Sequence, residues 1–192
     1  MTAPVRLEPL SLDHLDGIMT WVNDPEVTFY FAELNRVITR EAEARFVQGL
    51  IDSDKDHVFS VFDAGGLRPA KPVADGVAPP PSMPDYVGQI GLGQIYWPAR
   101  NARLGVMLPR YAWGRGVAQA AAAALLDHAF DVLELNKVWL IVRCTNAKGL
   151  HLWTKVGFQC EGVLREEYFS QGRYHDMMRL SILRRDWPRD RA

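Results

Sequence analysis

Two glycines separated by one residue stand where an apolar strand pattern gives way to a helix pattern. Gly114, Arg115 and Gly116 lead into the alanine-rich segment 117–133. Glycine lets the backbone turn tightly and bring several N–H groups close to a ligand. The first N–H groups of a helix lack partners within it, and the helix dipole favours an anion there. With Arg110 and Arg115 adding positive charge, this turn is predicted to bind a phosphate or pyrophosphate.

Two other phosphate-binding motifs do not fit this turn. A P-loop places Lys followed by Ser or Thr after its last glycine, and neither follows here. The dinucleotide fingerprint needs a third glycine at the position of Gln119. The turn by itself also leaves open a plain strand-to-helix connection, in which the glycines serve only the geometry of the backbone.

Residues around and beyond the turn match a known family. The segment 111–118, Tyr-Ala-Trp-Gly-Arg-Gly-Val-Ala, resembles the [QR]xxGxG/A turn of the GNAT superfamily of acyl-CoA N-acyltransferases, with Tyr111 in place of the usual Gln or Arg. That family then has a strand, an asparagine and a short helix that ends in a Gly-Phe pair. Asn146 and the pair Gly157-Phe158 stand at those positions. The order of elements resembles the family over essentially the whole chain.

The resemblance implies acetyl-CoA as the acyl donor and a set of residues that would hold it. The pantetheine arm would lie against the backbone near Val106 and Leu108, in a splay of the sheet. The pyrophosphate would contact the N–H groups of Trp113, Gly114, Arg115, Gly116, Val117 and Ala118. Asn146 would hold the end of the pantetheine arm, and Trp153 would line the thioester pocket.

Acyl transfer to an amine needs a neutral nucleophile, a group that takes its proton and a donor for the leaving thiolate. Where the family often has a tyrosine donor and a glutamate base, this chain has Trp153 and Arg103. An indole N–H does not release its proton at neutral pH, and arginine stays protonated. Three explanations stay open: proton loss through water, another residue (Glu33, or His175 beside Asp176), or a protein that binds CoA without catalysis.

Two segments rich in aromatic residues are expected to bound the acceptor site. The first contains Phe29, Tyr30 and Phe31, and the second contains Glu167 and Tyr168. Aromatic rings beside carboxylates suit a cationic amine. Core packing is the competing interpretation for about half of these rings.

Two motifs resemble acetyltransferases that act on different amines. Residues 164–176 are similar to spermidine acetyltransferases and to those acting on nucleotide-linked amino sugars. Residues 21–27, Trp-Val-Asn-Asp-Pro-Glu-Val, are similar to the latter and to ribosomal-protein N-terminal acetyltransferases. Because one scaffold serves all three, the acceptor stays open among an amino sugar, a polyamine and a protein N-terminus. The resemblance predicts an N-acetyltransferase that works by direct attack in a ternary complex.

Composition and charge narrow the kinds of partner and ligand that the protein is expected to bind. The 192 residues are 48% apolar and 23% charged, with a net charge of −1, so neither nucleic acid nor an anionic membrane is an expected partner. No apolar run reaches membrane-spanning length. Cys144 and Cys160 lack metal-ligand spacing, so they are expected to be buried thiols and no metal site is predicted. We expect a cytoplasmic protein, and the family's habit of pairing favours a homodimer.

Hydrophobic periodicity predicts a mixed α/β fold in one domain over residues 1–192. Segment 64–85 has six of the twelve prolines and few large apolar residues, and is predicted to be a mobile loop between two strands. Helices are predicted at 12–22, after Thr39, at 117–133 and at 147–155; in the second, Phe46, Leu50 and Ile51 are expected to face inward. The resemblance implies a six- to seven-stranded mixed sheet, splayed between the strands ending at Leu108 and beginning near Lys137, with helices on both faces.

Overall fold

A single mixed sheet organises the chain. The computed structural model describes residues 4–30, 36–69 and 77–188. The strands are β1 (Val5–Pro9), β2 (His57–Asp63), β3 (Tyr86–Tyr96), β4 (Asn101–Met107), β5 (Lys137–Arg143), β6 (Gln159–Ser170) and β7 (Arg173–Leu183). They lie in the order β1-β2-β3-β4-β5-β7-β6, and every neighbouring pair is antiparallel except β4 and β5. The predicted mixed fold with a seven-stranded sheet is confirmed.

The parallel pair of strands separates soon after it begins. The ladder between β4 and β5 consists of three residue pairs, the last joining Arg103 to Trp139. Beyond that pair, β4 stays bonded to β3 as far as Met107, and β5 stays bonded to β7 as far as Arg143. The two strands therefore diverge, and the predicted splay of the sheet is confirmed.

Helices cover both faces of the sheet. They are α1 (Leu15–Met19), α2 (Pro25–Thr28), α3 (Arg40–Ile51), α4 (Val117–Asp127, continued by a π-helical turn His128–Val132) and α5 (Ala147–Val156). On β2, Val61 belongs to the hydrophobic cluster of α4 and α5, whereas its neighbour Phe62 packs in the cluster of α1 and α3. Because successive side chains of a strand point to opposite faces, the two clusters lie on opposite sides of the sheet.

The N-terminal helical region differs from the single helix predicted at 12–22. A 3-10 turn at Leu12–His14 leads into α1, which ends at Met19. The hydroxyl of Thr20 donates to the carbonyl of Gly17 at 2.7 Å, which competes with continued helical bonding. Pro25 was expected only to stop a helix, but it begins α2, since Asp24 accepts from the N–H of Glu26 at 2.9 Å as an N-cap.

Two expectations about burial are wrong. Phe46 and Ile51 of α3 are 61% and 41% exposed, while Glu43 and Val47 are buried. Positions 43 and 47 are one turn apart and define the inner face of α3, whereas Phe46 lies about 100° around the helix from Val47. Cys160 is exposed because it lies on the edge strand β6, and Cys144 is half-buried.

The first part of the predicted mobile loop at 64–85 is hydrogen-bonded to the rest of the chain, while residues 70–76 lie outside the described residues. The N–H of Ala64 donates to the carbonyl of Pro4 at 3.1 Å, and that of Arg68 donates to the carbonyl of Arg115 at 3.2 Å. The first part of the loop therefore contacts both the residue that precedes β1 and the glycine turn. No helix within 4–30, 36–69 and 77–188 is both long and apolar enough to cross a membrane.

Candidate active site

A groove opens where β4 and β5 diverge. It brings together six of the predicted cofactor residues, namely Val106, Leu108, Trp113, Ala118, Asn146 and Trp153. Two of the predicted acceptor residues, Tyr30 and Tyr168, also line it. Residues that the sequence analysis assigned to one site therefore do line one groove, although they come from separate elements that include β4, α4, α5 and β6.

The glycine turn leaves the N-terminus of α4 open to a ligand. Gly114 and Gly116 have φ values of 72° and 90°, in the left-handed region that favours glycine. Gly116 is the N-cap of α4, and no side chain caps the helix there. A Cβ atom at Gly116 would meet no atom within 4 Å, so the space beside it is open. Free N–H groups beside open space fit the pyrophosphate of CoA.

The arginines of the turn do not serve as predicted. The guanidinium of Arg115 forms an ion pair with Asp63, and its Nε donates to the carbonyl of Arg68 at 2.9 Å. Arg110 donates through Nε to Asp24 at 2.7 Å. Both arginine side chains are largely buried, at 14% exposure. Their charges are therefore offset by carboxylates, and they brace the turn instead of adding free positive charge for a phosphate.

Sequence reasoning missed the basic side chains that do remain exposed near the turn. Arg68 and Lys155 line a second pocket together with Gly116 and Gln119. Arg68 comes from the segment predicted to be a mobile loop and Lys155 from the end of α5. No local pattern in the sequence places these two residues beside the turn.

Two predicted cofactor residues also have structural roles. The indole Nε1 of Trp113 donates to the carbonyl of Leu108 at 2.9 Å, so that carbonyl is already engaged. Asn146 Oδ1 accepts from the N–H of Gly149 at 2.9 Å and caps α5. The amide nitrogen of Asn146 is a donor only, and it is the group suited to a pantetheine carbonyl.

Two aromatic residues of the groove region are buried. Trp153 packs edge-on against Phe158 with ring centroids 5.4 Å apart. Tyr111, at the family's Gln or Arg position, is buried with its hydroxyl 3.5 Å from the hydroxyl of Thr20. Burial raises the pKa of Tyr111 to about 12, so this phenol stays neutral at physiological pH. Tyr111 therefore packs beneath the glycine turn as a structural residue.

His175, one of the two candidate bases, does not line the groove in the described part of the chain. His175 is 7% exposed and its Nε2 lies 3.1 Å from the carbonyl of Ser170. Because a carbonyl only accepts, Nε2 carries the hydrogen, and the ring ties the closing hairpin together. The described lining of the groove does not include His175, so its position favours the ordinary hairpin role over catalysis. Glu33 lies outside the described residues.

The predicted acceptor residues lie in different surroundings. The guanidinium of Arg143 stands 5.6 Å from the ring of Phe29 and 5.3 Å from that of Tyr30. These rings thus already contact a cation of the protein. Glu167 is exposed and absent from the described groove lining, and Phe31 lies outside the described residues.

The comparison with family models settles the assignment of the fold. Residues 5–159 match the model of the acetyltransferase (GNAT) domain. The chain belongs to the GNAT acetyltransferase family. Acetyl-CoA is the acyl donor of GNAT acetyltransferases, and the open helix N-terminus and splayed groove fit it.

Relatives of this GNAT chain include enzymes with different acceptors. It is 36% identical over 99 residues to spermidine N(1)-acetyltransferase of Vibrio cholerae, covering 52% of this chain and 57% of that protein. It is 32% identical over 100 residues to the putative ribosomal N-acetyltransferase YdaF of Bacillus subtilis, covering 52% and 55%. These alignments thus span little more than half the length of either relative.

A solved structure extends the similarity over the whole GNAT chain. The crystal structure of spermidine N-acetyltransferase from Vibrio cholerae, in complex with CoA and spermine, superposes with a TM-score of 0.81. The identity is 25%, and the match covers 97% of this chain and 99% of that one. The overall fold of this chain is therefore similar, over nearly its whole length, to that of an acetyltransferase whose structure contains CoA.

Proposed function

We propose that this protein is an N-acetyltransferase that moves an acetyl group from acetyl-CoA to a primary amine. The observation that carries the proposal is the groove between β4 and β5, which extends from the uncapped start of α4 to Arg103. One end offers N–H groups to an anion, and the walls offer unpaired strand backbone and apolar side chains to an extended arm.

Direct attack by the amine is the route that the groove supports. Its described lining contains no serine, cysteine or histidine that would accept the acetyl group. The protein's contribution is then to hold the amine against the thioester and to exclude water from the groove. Apolar side chains of β4 and β5, such as Leu104 and Leu140, wall the space in which this happens.

A polyamine is the first acceptor that we propose. Support comes from the relatives, since two of the comparisons name spermidine acetyltransferases and one of these structures contains spermine. An alkylammonium group would have to share the rings of Phe29 and Tyr30 with Arg143, so the support for a polyamine comes from the relatives alone.

A specific observation favours a second candidate, an amine that also carries a carboxylate or phosphate. Within the described part of the chain, the groove lining includes Arg103 and Arg143 but no carboxylate. Arginine pairs with both anions in bidentate geometry. A peptide N-terminus or a nucleotide-linked amino sugar would satisfy this chemistry, and both belong to the acceptors predicted from the sequence.

Thiol release from acetyl-CoA over a panel of polyamines, amino sugars and peptides tests the function. We expect release that depends on the acceptor, and the class with the highest kcat/KM identifies it. Calorimetry with CoA alone runs in parallel. Normal CoA binding without release by any acceptor would overturn the proposal and favour the alternative, a CoA-binding sensor or partner protein.

We also propose a cytoplasmic homodimer. The two cysteines are free thiols, which suits a reducing compartment. Val163 and Phe169 of the edge strand β6 and Tyr174 of β7 are 50%, 56% and 61% exposed, and such an apolar surface at the edge of the sheet favours contact with a second copy. Sedimentation velocity tests this; a purely monomeric protein at micromolar concentration would contradict it.

A further inference from the structure

A tyrosine and an arginine meet at the narrow end of the groove. Arg103 belongs to the last residue pair that joins β4 to β5, and its Nη2 lies 3.0 Å from the hydroxyl oxygen of Tyr168. Both residues line the groove. The glycine turn is at the opposite end, with about 13 Å of strand between Arg103 and Met107 at ~3.3 Å per residue. The thioester, which is remote from the pyrophosphate, is therefore expected near this pair.

A bulge in β6 sets the position of Tyr168. Between the pairs Leu164–Met177 and Tyr168–His175, β6 has two more residues than β7. Glu166 within this bulge has a φ of 51°, and its N–H donates to Asp176 Oδ1 at 2.8 Å. Bulges of this kind redirect a side chain, and they occur often beside active sites.

The hydrogen bond between the two side chains leaves the phenolic hydrogen free. A guanidinium has donors only, so Arg103 donates and the oxygen of Tyr168 accepts. In the described parts of the chain, Arg103 is the hydrogen-bond partner of this hydroxyl. The O–H of Tyr168 can therefore point at a ligand, and the positive charge of Arg103 stabilises the phenolate that a proton transfer would leave.

We propose that Tyr168 is the proton donor to the leaving thiolate, with Arg103 as the residue that positions and polarises it. This role rests on the acetyltransferase function proposed above. The nitrogen of the amine forms a bond to the thioester carbonyl carbon, and the C–S bond breaks with its electron pair going to sulfur. The phenolic proton passes to that sulfur and gives the free thiol of CoA. The proton lost by the amine nitrogen reaches solvent water, which returns one proton to the phenolate.

Tyr168→Phe tests the role, with Tyr96→Phe as the matched control at an exposed position outside the groove. We expect Tyr168→Phe to lower kcat by about 100-fold, the contribution typical of general acid catalysis. Its Kd for CoA, measured by calorimetry, should not change, and Tyr96→Phe should match the wild type in both measurements. An unchanged kcat in Tyr168→Phe, or a Kd that weakens as much as kcat falls, would overturn the proposal.

A readout independent of turnover comes from 3-fluorotyrosine incorporated in place of the six tyrosines. The fluorine signal of position 168, assigned by its loss in Tyr168→Phe, should shift when CoA is added and should also change in Arg103→Met, which removes the hydrogen bond to the hydroxyl. Arg103→Lys should restore part of that change. A signal that ignores both CoA and the Arg103 substitutions would exclude the inferred contact.

The outcomes separate this inference from the proposed function. A wild-type protein that releases no thiol with any acceptor refutes the acetyltransferase function itself. A wild-type protein that is active, together with an equally active Tyr168→Phe, refutes only the role of Tyr168.

Discussion

At the scale of single residues, the backbone of Gly116 has two roles. Its left-handed conformation turns the chain into the first residue of α4. Its lack of a side chain leaves the first N–H groups of the helix uncovered. Arg115 beside it directs its charge to Asp63. The anion site therefore depends on N–H groups and the helix dipole more than on the arginines of the turn.

Gly116→Asp is expected to abolish CoA binding while the fold is retained. Gly116→Asn is the matched control, because asparagine and aspartate tolerate a left-handed φ to a similar degree and differ in charge. We expect Asp to bind CoA at least about tenfold more weakly than Asn, since its carboxylate repels the pyrophosphate at the helix N-terminus. Calorimetry gives the Kd values and thermal unfolding checks the fold. Equal affinities in the two variants would contradict an anion at this turn.

Some site residues could be predicted from the sequence, and others could not. Gly114 and Gly116 were found because their role depends on local backbone conformation, which a short motif encodes. The pair of Arg103 and Tyr168 is 65 residues apart in the chain, and Arg115 and Asp63 are 52 residues apart. Such contacts depend on how the strands pair in the sheet. The residues that flank one partner in the sequence therefore do not reveal the other partner.

At the scale of secondary structure, α3 shows how periodicity located a helix but not its orientation. Thr39 caps it as predicted, accepting from the N–H of Ala42 at 3.2 Å. Its inner face, however, includes a glutamate, Glu43, which is 4% exposed. The sequence prediction placed only apolar residues on the inner face of α3. Because a carboxylate occupies part of that face, the prediction assigned the wrong residues to it. Burial raises the pKa of Glu43 above its usual value.

Glu43→Gln is expected to stabilise the protein at pH 7.5. A carboxyl whose folded-state pKa is raised destabilises the fold when it is ionised. This penalty builds up as pH rises from the unfolded pKa to the folded-state pKa, and it disappears as pH falls below the unfolded pKa near 4. The increase in Tm of Glu43→Gln over the wild type should therefore shrink on acidification. The control on the same helix is Glu41, which is exposed and whose pKa is lowered, first by the N–H of its own backbone.

Glu41→Gln should show the opposite sign, a small loss of Tm at pH 7.5 that also disappears in acid. A Tm for Glu43→Gln that stays at or below that of the wild type at pH 7.5 would show that the buried carboxylate is stabilising.

At the scale of the whole molecule, the order of elements and a mixed, splayed sheet were predictable because the turns are rich in glycine and the motifs lie at family spacing. Burial at the edges was less predictable, as exposed Cys160 on β6 shows. Which strand lies at the edge follows from the order β5-β7-β6, and that order comes from long-range pairing. A local pattern cannot distinguish an edge strand from a central one.

Acidification is expected to destabilise the whole domain through two half-buried or buried histidines. Burial lowers the pKa of His14 and of His128, the latter also through nearby His57. The unfolded chain, with a histidine pKa near 6.5, then binds more protons than the folded one as pH falls below that value. Stability should therefore decline from pH 7.5 towards pH 5.5, as followed by Tm.

His128→Gln should reduce the slope of Tm against pH, whereas His151→Gln, at an exposed position on α5, should keep the wild-type slope. If His128→Gln retains the full slope, the loss of stability in acid has another origin.

The three-pair ladder between β4 and β5 has a consequence for how the molecule opens. It is the only strand pairing that joins β1–β4 to β5–β7 in the described sheet. Backbone amides on the two sides are therefore expected to exchange with deuterium as two separate cooperative units, because few bonds couple their opening. A ligand that fills the splay bridges both halves, so its binding should merge the two exchange classes into one. The acetyl donor would then act as the missing part of a strand ladder as well as a reactant.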